Sequence, residues 1–246
     1  MIRIDRFLSE TKYGSRTMIA KFIRDGLVEI NGKKVFSPKR KIDPLKDTVT
    51  FDKEKVFFRE NLVLMMNKPS GYESSDKDGR YPSVQNLVNE PYSRLDIHIA
   101  GRLDADATGM LLLTNSGGLL HKIISPTSHI GKKYLVRLQS PLKDVSPLLK
   151  GVTINDGKGV PFLTKPAIVE KLDDFTCEIT IQEGKFHQVK RMFEAINNEV
   201  VNLKRIAIGN LSLDNTLPEG AYRELSTEEV NAVFEQKTSE NGPDMI

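Results

Sequence analysis

Between Ala100 and Asn115 the chain reads AGRLDADATGMLLLTN, which sets Arg102, Asp104 and Asp106 immediately before an unbroken apolar run. An aspartate at the edge of a buried strand is held rigidly and can still face a cleft. That is the placement a carboxylate needs to attack carbon or to move a proton. If the segment is extended through Asp104, Arg102 and Asp104 share a face, and Asp106 follows in a turn containing Thr108 and Gly109. Spacing alone favours a plainer account, in which the aspartates form turns and Arg102 is a surface ion-pair partner. Metal chemistry is not indicated, because His98, His121, His129 and His187 are scattered without ligand spacing. A paired-carboxylate sugar hydrolase would need companions that nothing else supplies, so Asp106 reads as structural.

The elements that must position these residues follow from periodicity. A buried strand is expected over 62–66, ending at Pro69-Ser70-Gly71. Turn signals and a helical piece near PSVQNLV fill 71–98, and GGLLHKIIS reads as a short helix. KKYLVRLQ and CEITIQ alternate as strands, whereas KFHQVKRMFEAI is helical, with Val189, Met192, Phe193 and Ile196 on one stripe. Ser226 and Glu229 form a capping box for a last helix, and 238–246 reads as a frayed tail. Strands and helices do not alternate strictly, which points to a mixed α+β fold and away from a doubly wound one.

Composition bounds the class. With 246 residues and 39% hydrophobic content, the chain can build one large or two smaller cores. Its apolar runs are far shorter than the roughly 18 residues of a membrane-spanning helix, and its first residues lack a signal-peptide hydrophobic stretch. The lone Cys177 forms no internal disulfide. A cytoplasmic monomer is expected. The net charge of +3 is unevenly spread: residues 1–60 carry 15 Lys and Arg against 9 Asp and Glu, so the basic excess belongs to this quarter. Such asymmetry suits a polyanion-binding module joined to a body with another task.

Within that module, Ile4, Phe7 and Leu8 have helical spacing up to Gly14. Ser15 then caps a second helix over 16–25, closed by Gly26. Met18, Ile19, Phe22 and Ile23 share one side of that helix, and Arg16, Lys21 and Arg24 the other. VEINGKKV follows as a hairpin turning at Asn31-Gly32, and Lys33 begins a further run of positive charge. The stretch 52–60, charged with a short apolar insert, reads as a linker.

Over residues 2–50 this pattern resembles the S4 RNA-binding domain, a helix-helix-hairpin module that docks on folded RNA. The body resembles the pseudouridine synthases. GRLDADATGMLLLTN is similar to their aspartate motif, KKYLVRL to the motif carrying a tyrosine, and EGKFHQVKRMF to the motif carrying a basic residue after His-Gln-Val. With MNKPSGY opening the body, the chain resembles the RsuA branch, which acts on small-subunit ribosomal RNA, over about residues 2–235. Domains are expected at 1–60 (S4 and linker) and 61–237 (catalytic).

The resemblance implies isomerisation of a specific uridine in 16S ribosomal RNA, of the uridine-516 type, on free RNA or within an assembling particle, with no cofactor and no metal. It assigns Asp104 as the catalytic carboxylate, either attacking C1′ or abstracting a sugar proton, with Lys190 as the cation beside it. Tyr134 stacks on the uracil or helps to remove the C5 proton. Arg102 fills the place of the extruded base. Arg16, Lys21, Arg24 and Lys33 contact RNA, and His187 borders the site. Position 107 is Ala where the family commonly has Thr, which removes a hydroxyl that could fix the turn. Two rival readings remain: a synthase for large-subunit (23S) ribosomal RNA, and a non-catalytic S4-type protein of RNA binding or ribosome assembly.

Overall fold

The computed structural model describes residues 1–235, so the expected tail over 238–246 lies outside the described residues. The chain forms two compact units. The first comprises Met1–Leu62 with Val88–His98, and the second Val63–Leu87 with the chain from Ile99 onward.

In the first unit, helices Ile4–Glu10 and Arg16–Arg24 pack their apolar stripes together. Ser15 caps the second helix by accepting from the Met18 N–H at 3.3 Å. Ile19 and Ile23 are fully buried, while Arg16, Lys21 and Arg24 are exposed. Met18 departs from expectation at 52% exposure. Each residue advances about 100° around a helix, which puts Met18 at the edge of the stripe centred on Ile19, Phe22 and Ile23. The hairpin pairs Val28–Ile30 with Lys33–Lys34, and Asn31 and Gly32 have φ of 52° and 75°, the signs a two-residue turn requires. Val49–Phe51 pairs with Val28–Ile30 and then with Glu54–Lys55, so the supposed linker begins as a strand of this sheet. Val56 enters the core, Phe58 packs edge-on to Phe7, and Phe57 does so to Tyr92.

That last contact belongs to a segment the sequence pattern did not attach here. The Lys12 Nζ donates to the Ser93 and Leu95 carbonyls at 2.8 and 3.1 Å, and the Arg94 guanidinium lies 4.7 Å from the Tyr13 ring centroid. Residues 88–98 therefore complete this unit from a distance in sequence that no local signal reports.

The second unit is built on a nine-stranded sheet. Its main order is Ile168–Lys171, Thr176–Ile181, Lys132–Leu138, Val200–Ile208, Thr108–Thr114, Val63–Lys68 and Tyr222–Glu224. Val200–Ile208 pairs with Thr108–Thr114 in parallel, whereas its pairing with Lys132–Leu138 is antiparallel. The sheet is thus mixed, as the α+β reading requires. Two apolar clusters cover it. One gathers Val136, Ile179, Met192 and Phe193, and the other Met65, Met110, Leu112, Ile123 and Val233. Val63–Lys68 and Thr108–Thr114 are buried at every residue, which suits the apolar runs 63–66 and 110–113 and makes Asn67, Lys68, Thr108 and Thr114 buried polar groups. The capping box closes as expected: Ser226 accepts from the Glu229 N–H, and Glu229 accepts from the Ser226 N–H.

Candidate active site

Asp104 lies on the loop between the strands His98–Ala100 and Thr108–Thr114. The regular strand ends at Ala100, Gly101 has a φ of 95°, and Ala105-Asp106 form a turn closed by the Ala107 N–H donating to the Asp104 carbonyl at 3.1 Å. The expected extended segment through Asp104 is therefore absent. Arg102 is exposed, the Asp104 side chain is 24% exposed, and Thr108 and Gly109 already belong to the buried strand.

Two buried cations hold this loop by its carbonyls. Lys68 ends its strand at 0% exposure, and its Nζ donates to Ala107 O at 2.7 Å, Pro69 O at 2.9 Å and Ala105 O at 3.2 Å. Burial lowers the Lys68 ammonium to about 8, even though the nearby charges of Asp106 and Asp104 act to raise it. Arg205, 3% exposed, donates Nε–H to Met110 O at 2.7 Å and Nη1–H to Arg102 O at 3.2 Å, while its Nη2 is buried without a partner. Further ties come from the Ser74 hydroxyl, 3.0 Å from both the N–H and the C=O of Leu103, and from the Gly71 N–H, 2.8 Å from Ala105 O. The carboxylate between these anchors is positioned by backbone, not by its own side-chain contacts.

Gly109 makes the Arg205 anchor possible. It pairs with Arg205 across the parallel seam at a φ of 98°, and a Cβ there would lie 2.3 Å from the Arg205 carbonyl oxygen. Only glycine lets the two backbones approach so closely.

Helix Gln188–Glu194 supplies the facing groups. It starts later than expected because His187, its N-cap, has a φ of 51° and stands outside helical geometry. His187 stands just ahead of the helix and Lys190 lies in its first turn. They meet the two aspartates side by side. His187 Nε2 is 3.5 Å from Asp104 Oδ1, and Lys190 Nζ donates to Asp106 Oδ1 and Oδ2 at 2.8 and 2.6 Å. The expected pairing of Lys190 with Asp104 is thus shifted by two residues along the loop. Burial acts to raise the Asp106 carboxyl, but the hydrogen bond and charge of Lys190 outweigh it and hold that carboxyl below the usual range.

Tyr134 is 7% exposed and lies in one apolar cluster with Leu103 and Ala107, which flank Asp104, and with Val189. It pairs in register with Arg205, next to a β-bulge at Lys133/Tyr134. Tyr134, Arg205 and Gly109 therefore form one row across three strands. Lys132, on the same strand, is lowered to about 8 by burial and by the Arg205 charge. Among the described residues the Arg102 guanidinium makes no side-chain hydrogen bond or ion pair, nor do Arg16, Lys21, Arg24 and Lys33 on the first unit, all of them exposed. Sequence reasoning missed Lys68, Ser74 and Arg205. For Lys68 a signal existed, a lysine two positions after the apolar run 62–66, but a strand end is also where a solvated lysine commonly sits. Among the described residues no group of three or more His, Cys, Asp or Glu side chains is placed to hold a metal ion, and no helix is long and apolar enough to cross a membrane.

Comparison with known proteins agrees with this geometry. Residues 62–195 match the family model described as RNA pseudouridylate synthase, and residues 2–49 match the S4 domain. The chain is 42% identical to an uncharacterized RNA pseudouridine synthase, YtzG, of Bacillus subtilis, covering 95% of this chain and 99% of that one. It is 40% identical to ribosomal small subunit pseudouridine synthase A of Haemophilus influenzae (93% and 98% covered) and 39% identical to that of Escherichia coli (94% and 100%). A crystal structure of a pseudouridylate synthase superposes with a TM-score of 0.66 at 38% identity, covering 95% of this chain and all of the other. The anchored Asp104 loop falls inside the matched catalytic region, and the chain belongs to the RNA pseudouridine synthase family, in the RsuA-type branch with an S4 domain in front.

Proposed function

We propose that this synthase converts a uridine of small-subunit (16S) ribosomal RNA, of the uridine-516 type, to pseudouridine, with Asp104 as the carboxylate that engages the ribose. The observation that carries the role of Asp104 is its setting: a half-buried carboxyl on a loop whose carbonyls are clamped by Lys68 and Arg205. The names of the relatives from Haemophilus influenzae and Escherichia coli support the choice of RNA. The unpaired cations of the first unit suit a polyanion.

In this reaction the N1–C1′ bond breaks, the uracil turns over, and a C5–C1′ bond forms. C5 gives up its proton and N1 gains one, so composition is unchanged. Reaching a half-buried carboxyl requires the nucleotide to leave its stack, which costs a few kcal/mol. The unpaired guanidinium of Arg102 is suited to stack in the vacated place. Asp104 then attacks C1′ or removes a sugar proton, while Tyr134 offers a flat face to the base and a hydroxyl near the C5 proton. Lys190, bonded to Asp106, adds positive charge to the same loop, and His187 does so when protonated. The proposed setting is a monomer in the cytoplasm, on free RNA or an assembling particle; a buried, unpaired Cys177 suits a reducing compartment.

Tritium release from 16S RNA labelled at uracil C5 tests the assignment. Asp104→Asn should lose about 10²- to 10⁴-fold or more in rate, and Asp106→Asn much less. Release that persists in Asp104→Asn overturns the role of Asp104. Release from 23S RNA alone would transfer the substrate to the large subunit, and binding without release from any ribosomal RNA would support a non-catalytic protein.

A further inference from the structure

We infer that Phe186 and His187 form a stacking shelf for the nucleobase adjoining the target uridine, an inference that rests on the function proposed above. Phe186 is 53% exposed, yet its ring is tightly held. It stacks on the His187 imidazole with centroids 3.8 Å apart and planes at 22°. The Arg191 guanidinium lies 5.0 Å from the Phe186 centroid and is itself tied by Nη1 to the Asn155 carbonyl at 2.7 Å. An apolar ring that stays half in water while His187 and Arg191 fix its orientation is preorganised for a flat partner.

The shelf is continuous with the reaction centre through His187, whose Nε2 is 3.5 Å from Asp104 Oδ1. The carboxylate engages the ribose of the extruded uridine, and Tyr134 serves its uracil, so the aromatic pair is left for the next base. Extrusion strips that neighbour of a stacking partner, and an aromatic face restores the lost contact without reading sequence. His187 holds a φ of 51°, a conformation that non-glycine residues adopt where the surrounding structure imposes it. Here it turns the imidazole between carboxylate and phenyl ring.

The test measures kcat and KM by tritium release from C5-labelled 16S RNA for the full-length protein and three variants. Phe186→Ala should raise KM by about 5- to 150-fold, the range for losing one base-aromatic stack, with the loss falling on KM and the salt dependence of RNA binding keeping its slope. Phe186→Leu should match Phe186→Ala, and Phe186→Trp should match wild type. A leucine variant with wild-type KM, or an alanine variant with no change in KM beside an active wild type, overturns the shelf. If wild type releases no tritium, the catalytic reading fails instead, and the shelf stands or falls on whether Phe186→Ala weakens direct binding to 16S RNA.

Discussion

The two units use positive charge in opposite ways. In the first, Arg16, Lys21, Arg24 and Lys33 stand exposed around an apolar core and take no partner among the described residues. In the second, Lys68 and Arg205 are buried and bonded to carbonyls, three of which (Arg102, Ala105 and Ala107) belong to the Asp104 loop. A surface cation costs the fold little and remains free for phosphate. A buried one is costly to desolvate and is tolerated only where its hydrogen bonds are made. The first arrangement suits a polyanion and the second fixes a loop, so the same residue types carry different information depending on burial.

Substitution separates the two uses most sharply at Lys68. Lys68→Met removes the donor to the Pro69 and Ala107 carbonyls, while Ala105 O keeps the Gly71 N–H, which should cost about 1–3 kcal/mol of stability. A displacement of the Asp104 loop by about 1 Å should cost about 10²-fold in tritium release. Lys21→Met, the surface counterpart, should stay within about 0.5 kcal/mol in a urea melt. Equal effects at the two positions would erase the contrast. Next in size is Gly109→Ala, where backbone strain alone should remove about 1–3 kcal/mol, with activity falling alongside because the Arg205 anchor shifts.

A pH series gives a smaller effect with a distinctive sign. Burial holds the Lys68 and Lys132 ammonium groups at about 8, against 10.5 for an ordinary lysine. Between those values the unfolded chain retains protons that the folded protein has released, so these two groups make stability rise from about pH 8 to 10.5. Activity should move the other way, because neutral Lys68 has two N–H groups for three carbonyls. Thermal melts beside tritium release test this, and activity that stays flat from about pH 7.5 to 9.5 would show that the loop does not depend on the ammonium. Smallest is the loss of one exposed cation: Arg24→Ala should lower the log K against log salt slope by roughly 0.7 to 0.9 without altering kcat.

Much of the fold was legible in the sequence because its signals are local. Ser15 and Ser226 cap helices through bonds to residues three positions on, and Asn31-Gly32 turns a hairpin whose strands are its immediate neighbours. The motif residues were legible through their likeness to a family. What escaped depends on contacts far apart in the chain. Arg205 sits next to Lys204 in an alternating strand, and nothing local says which of the two is buried. The offset of Lys190 onto Asp106 depends on where the helix begins, which His187 sets by its left-handed backbone. The Val88–His98 segment joins the first unit through Lys12, Tyr13 and Phe57, partners that periodicity cannot name.

The Arg205 anchor also bears on how the enzyme comes into being. The carbonyls it grips belong to residues 95 and 103 positions earlier. A chain leaving the ribosome N-terminus first therefore exposes its S4 helices and its aspartate loop well before the strand that braces that loop has been translated. The S4 unit is thus complete before the second unit is, and a truncated product ending before Val200 would lack one of the two clamps on the Asp104 loop.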